Sequence, residues 1–186
     1  NETFQKRNTN KDLDEAWDSL ETIIDVCVED DVEVIAYLSM AFGNPYGEFH
    51  DPRIVVDFAR RLQNMGVSCI QLADTVGVAT ASQVAEVFAQ VRAAVPEVPV
   101  GVHLHARPAT VREKVKAALD AGCRLFDSAV GGIGGCPFAE DELVGNIDTI
   151  QLLGILQDSG FETRYRVDDL LHSAAEAQRL TRTFNA

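Results

Sequence analysis

The sequence predicts an α/β fold with parallel strands, and three features predict it. Four short, apolar, β-branched runs recur along the 186 residues, at 32–40, 67–73, 98–105 and 124–130. Near-continuous apolar runs of this kind suit strands buried on both faces, as parallel strands are. Each run is followed by a helical pattern, and successive runs start about 25–35 residues apart, the size of a strand–helix–strand unit. Two architectures fit this order: a small doubly wound sheet, or four consecutive units of a (β/α)8 barrel. A complete barrel takes about 250 residues, so on the second reading the chain supplies half of one.

The elements follow in order. A helix from residue 13 to about 28 precedes the first strand. Asp51 caps the next helix with Pro52 at its first position, and Ile54, Val55, Phe58, Ala59 and Leu62 form its apolar stripe up to a stop near Gly66. Thr80 caps the helix after the second run, with Val84, Val87, Phe88 and Val91 facing inward and Pro96 beyond its end. A third helix spans about 108–122, with Val111, Val115, Ala118 and Leu119 on one side. Two more are expected at about 145–159 and 167–184. The residues before position 13 read only as a polar stretch. No Pro/Gly/Ser linker interrupts the chain, so residues 1–186 read as one structural unit.

Composition narrows the function. Hydrophobic residues make up 46% and charged residues 24%, enough apolar material for a sizeable core. Sixteen Lys and Arg against 29 Asp and Glu give a net charge of −13, and no basic face suited to nucleic acid is visible. No apolar run approaches the roughly 20 residues of a membrane span. The four cysteines (Cys27, Cys69, Cys123, Cys136) are widely spaced and read as reduced thiols of a cytoplasmic protein.

In either architecture the reactive groups gather at the carboxyl ends of the strands. His103 and His105 stand there on the third run. Side chains alternate along a strand, so i and i+2 point the same way, and two imidazoles about 7 Å apart along the backbone can close on one metal ion. The plainer reading is a pair of satisfied polar residues. Asp74 follows the second run; it could orient a substrate, act as a base or support a metal from behind, and capping the loop explains it equally well. Asn146, at an expected helix start, is either a cap or an amide oxygen for a hard divalent cation.

The segment Gly131-Gly132-Ile133-Gly134-Gly135-Cys136-Pro137 exposes backbone and carries a thiol at its tip, which could act as an acid, a base or a redox-sensitive cap. It lacks the G-x-G-x-x-G register, and no GK[ST] follows, so it is not a phosphate loop. A flexible turn is the plainer reading. The other cysteines read as core, and His50 and His172 as inert. Arg107, Arg112, Lys114 and Lys116 read as a solvated helix face, with an anchor for an anion as the alternative.

Taken together, NETFQKRN, AYLSMAFGNPYGE, LADTVGVAT, HLHARP, FDSAVGGIGGCPFAEDELVGN and the closing DDLL are similar, in order and spacing, to the carboxyl-terminal half of the 3-hydroxy-3-methylglutaryl-CoA lyase family. The glycine–cysteine loop sets those lyases apart from the Claisen-condensing synthases that share the H-x-H strand. The resemblance implies a TIM barrel of which this chain forms strands five to eight. It further implies that His103, His105 and Asn146 ligate Mg²⁺ or Mn²⁺, and that His103 also takes part in proton transfer. Asp74 would position or deprotonate the substrate hydroxyl, Cys136 would assist protonation, and Tyr37 and Thr75 would line the pocket. The implied reaction is retro-Claisen cleavage of an acyl-CoA to acetyl-CoA and acetoacetate.

Three departures accompany the resemblance. The family's opening strand, with an Asp ligand and a neighbouring Arg, lies upstream of Asn1, so an N-terminal half-barrel from the same or another chain is expected to complete the fold. A homo-oligomer is also expected. Ala106 stands where many members carry Asp, and Ile150 where they commonly carry Glu. Two other readings remain beside the lyase: a condensing synthase or aldolase acting on a 2-oxo acid, and a non-catalytic half-barrel subunit.

Overall fold

The computed structural model describes residues 1–134, 144–165 and 167–184. Three parallel strands form one sheet in the order β1-β2-β3: β1 (Ile35–Leu38), β2 (Cys69–Asp74) and β3 (Val100–Leu104). Ile35 pairs with Cys69 and Tyr37 with Gln71 across the first ladder, and Ala73 pairs with His103 across the second.

The fourth run does not become a strand of its own. Leu125 O accepts from Val102 N at 3.0 Å and Asp127 N donates to Val102 O at 3.2 Å, which lays the run beside β3. At Ala129 it changes partner, pairing with Ile147 and Thr149 instead. With its hydrogen bonds divided between two neighbours, the run is reduced to bridges at Phe126 and Ala129.

Helices occupy the expected places. They are α2 (Leu13–Glu29), α3 (Pro52–Asn64), α4 (Ala81–Ala94), α5 (Val111–Asp120), α6 (Thr149–Asp158) and α7 (Val167–Phe184). Asp51 accepts from Arg53 N with Pro52 next in line, and Thr80 forms a reciprocal capping box with Gln83. One helix was not anticipated: α1 (Glu2–Thr9), inside the polar opening stretch. Asn1 caps it by accepting from Phe4 N, with Glu2 in its first turn and Lys6 and Arg7 in its last. Its single buried side chain, Phe4, packs with Met40 and Val76, too sparse an apolar pattern to show by periodicity.

The strands alternate cleanly between two faces. One face, carrying Ala36, Ile70, Leu72, Val102 and Leu104, is buried under helices with residues such as Val84, Phe88, Val115 and Ala118. The opposite face carries Ile35, Tyr37 and Leu125, which are 53%, 51% and 40% exposed. The histidines stand on that second face, His103 half-buried and His105 buried at 5% exposure.

Candidate active site

His103 lies on β3, and His105 sits one residue past the strand, where it pairs with Asn146 in an antiparallel bridge. Each ring is held at Nδ1. His105 Nδ1 donates to Val144 O at 3.1 Å, and His103 Nδ1 pairs with Asp127 Oδ2 at 3.2 Å. A carbonyl and a carboxylate both accept, so both Nδ1 atoms carry hydrogens and both Nε2 atoms keep lone pairs when the rings are neutral. Those two Nε2 atoms face each other at 3.2 Å. Burial, and then the neighbouring His103, push the His105 pKa down, which favours the neutral ring.

Asn146 could offer a third ligand atom. Its Nδ2 donates to Ile133 O at 2.9 Å, which turns Oδ1 away; that oxygen is buried and accepts no hydrogen bond among the described residues. An orphaned buried acceptor is costly, and a cation would satisfy it. Two imidazole lone pairs and an amide oxygen thus fit a divalent ion. Among the described residues no group of three or more His, Cys, Asp or Glu side chains could hold a metal, so there the two imidazoles have only an amide to add to them. Asn146 is not the helix cap: Asp148 caps α6 by accepting from Ile150 N at 3.0 Å, and the same oxygen holds Gly131 N at 3.3 Å. Gly134 (φ +96) must be glycine, because a Cβ there would lie 2.9 Å from the Asn146 Nδ2.

Asp127 was not anticipated as a site residue, because it lies inside a run read as an apolar strand. Its carboxylate accepts from both His103 and the Tyr37 hydroxyl, the latter at 2.8 Å. The His103 hydrogen bond, reinforced by that from Tyr37, holds the Asp127 pKa below the usual carboxylate range. Partial burial, with the bond to Asp127, pushes the Tyr37 pKa up to about 12. The Tyr37 ring meets that of His103 edge-on, with centroids 5.7 Å apart. Tyr37, His103 and Asp127 together border an open cleft of about 740 Å³, walled on its far side by Leu152, Leu156 and Tyr165.

The remaining predicted residues fall elsewhere. Thr75 Oγ1 accepts from Met40 N at 2.8 Å, tying the ends of β1 and β2 together and holding Met40 at φ 57. Asp74 shares the strand parity of Ile70 and Leu72 and therefore points to the helix side. It is 1% exposed, with Oδ2 on Lys114 Nζ at 2.7 Å and Oδ1 on Ala79 N at 3.1 Å. Lys114, expected on a solvated face, is in fact buried at 3% exposure. Cys136 lies outside the described residues. Cys123 is buried, with burial pushing its pKa up to about 11, whereas Cys27 and Cys69 are only partly covered. His50, expected to be inert, bonds Ala41 O through Nε2 at 2.9 Å.

Comparison with known proteins decides the family. The HMGL-like family model matches residues 1–177. The chain belongs to the HMGL-like family. A cytoplasmic 3-hydroxy-3-methylglutaryl-CoA lyase of Danio rerio is 35% identical over 87% of this chain and 48% of its own length. A 3-hydroxy-3-isohexenylglutaryl-CoA/hydroxy-methylglutaryl-CoA lyase of Pseudomonas aeruginosa is 32% identical over 95% of this chain and 57% of its own. The crystal structure of the HMG-CoA lyase of Brucella melitensis superposes with a TM-score of 0.89 at 31% identity, covering 97% of this chain and 63% of that one. The chain thus has the α/β fold of an HMGL-like barrel protein and spans about half the length of the curated relatives it matches. No helix among the described residues is long and apolar enough to cross a membrane.

Proposed function

We propose that the protein to which this chain contributes is a divalent-metal-dependent carbon–carbon lyase. Its substrate would be 3-hydroxy-3-methylglutaryl-CoA or a similar 3-hydroxy-acyl-CoA, cleaved to acetyl-CoA and acetoacetate. One observation carries the metal site: two Nε2 lone pairs facing each other at 3.2 Å, with the Oδ1 of Asn146, the bridge partner of His105, lacking a donor among the described residues. Membership of the HMGL-like family supports the reaction class.

On this reading His103, His105 and Asn146 hold Mg²⁺ or Mn²⁺, and the upstream half of a TIM barrel, in the same or another chain, completes the set. Residues 1–186 form one unit supplying positions five to eight of the barrel, the last of them the run at 124–130 that makes only bridges. A homo-oligomer and a cytoplasmic location complete the reading. The cation, when bound, supplies Lewis-acid polarisation of substrate hydroxyl and carboxylate oxygens. The chain's own residues do the rest. Asp127 fixes the His103 tautomer and, with Tyr37, forms the polar wall of the cleft; with Nε2 on the cation and Nδ1 protonated, His103 takes part in proton transfer by steering the hydroxyl proton to the Asp127 carboxylate to which it donates. Cleavage breaks the C2–C3 bond and leaves its electron pair on the thioester as an enolate, which Cys136 helps to protonate. Asp74 serves from behind the site, since both its oxygens are engaged on the helix side.

The test is cleavage of 3-hydroxy-3-methylglutaryl-CoA by the full gene product with Mn²⁺, then with a chelator, following the two products separately. Chelator-sensitive release of both is the expected result. Turnover that ignores the chelator, or metal binding without turnover, overturns the metal role or the substrate respectively. Cys136→Ala separates a lyase from a condensing relative, since only the lyase loses most of its rate.

A further inference from the structure

We propose that Lys114 is a positioning residue of the metal site, its ammonium fixing both the backbone of His105 and the loop that holds the His105 ring. The inference deepens the metal-site reading and rests on it for one of its two readouts.

Lys114 sits in the first turns of α5 and sends its side chain back under the strand ends, 4% exposed. An ammonium has three hydrogens. Here they have three acceptors from three places in the chain: Asp74 Oδ2 at 2.7 Å, Gly77 O at 3.1 Å and His105 O at 3.1 Å. Asp74 balances the charge, and its other oxygen closes the same loop by accepting from Ala79 N. The group is therefore fully paired, as a buried charge must be.

Its two carbonyl acceptors both lead to His105. The first belongs to His105 itself, so the ammonium pins the strand end from which the imidazole projects. The second belongs to Gly77, at φ +72, where a Cβ would meet Val144 at 2.8 Å and His105 O at 3.2 Å. That missing Cβ lets Val144 pack against the turn, and Val144 O is the acceptor that fixes His105 Nδ1. One ammonium thus holds both the main chain of His105 and the turn that seats its ring partner. Partners behind a metal-binding imidazole typically change metal affinity by about 10- to 100-fold when removed.

The experiment uses the full-length protein. Lys114→Met alone strands a buried carboxylate and is expected to lose stability, so the informative variant is the double replacement Lys114→Met with Asp74→Asn, which leaves no charge uncompensated. Two quantities are read beside the melting temperature: the Mn²⁺ dissociation constant by calorimetry, and the tautomer of His105 in the metal-free protein by ¹⁵N-histidine NMR. The expected result is a folded double variant whose Mn²⁺ dissociation constant rises about tenfold or more, and whose His105 exchanges between tautomers where the parent shows only the Nδ1-protonated form. A folded double variant with parental affinity and a single tautomer overturns the proposal and leaves the pair a purely structural one. A parent that binds no Mn²⁺ overturns the metal-site reading instead, and the tautomer alone then decides whether Lys114 positions His105.

Discussion

The two faces of the strand row are built from neighbouring residues and could hardly differ more. On the helix side Ile70, Leu72, Val102 and Leu104 are at most 2% exposed and the chain finishes its own packing. On the other side Ile35, Tyr37 and Leu125 stand open, and among them lie His103, Asp127 and the buried amide of Gln71, whose Oε1 accepts no hydrogen bond among the described residues. Stability is invested on one face and chemistry is left exposed on the other. The same division separates the two acidic residues near the strand ends: Asp74, of helix-side parity, is bound to Lys114, whereas Asp127, of inner parity, orients His103.

The largest test of that division is His105→Ala in the full-length protein. It removes an inner-face donor, and Mn²⁺ affinity of the folded protein measured by calorimetry should fall more than about 100-fold. Leu72→Ala is its converse. It opens a cavity on the finished face and should cost about 2–5 kcal/mol in chemical denaturation, while the folded fraction keeps its metal affinity. If Leu72→Ala weakened metal binding as strongly as His105→Ala, the two faces would not be separable. Asp127→Asn sharpens the contrast between the carboxylates: about a 10- to 100-fold loss of Mn²⁺ affinity without unfolding is expected. Smallest is Tyr37→Phe, which removes one hydrogen bond to Asp127 and should shift stability by about 1 kcal/mol or less.

Strand alternation made part of this legible in advance. It puts His103 and His105 on one side, and the same counting, applied to Ile70, Leu72 and Asp74, would have sent Asp74 to the helices. Asp127 is a lone carboxylate in the apolar run Arg124–Val130; its odd position, matching Leu125, is the signal that places it on the inner side. Lys114 reads as solvated because its neighbours Arg112 and Lys116 are charged too. Helical spacing separates it from them: Val111, Lys114, Val115 and Ala118 lie on one stripe, and all four are buried. Asn146 reads as a possible cap, and only the backbone path shows that Asp148 takes that place instead. What no local pattern carries is the meeting of Nε2 atoms, since it depends on Val144 and Asp127 fixing two rings from opposite directions.

The bond from Tyr37 to Asp127 joins positions 90 residues apart and ties β1 to the run beyond β3. Closing so long a loop is entropically costly and is rewarded only when the intervening strands are already in place. Assembly of the open face is therefore a late event in folding. Removing the tyrosine hydroxyl should leave the refolding rate almost untouched and appear instead as faster unfolding, the signature of a contact absent from the transition state.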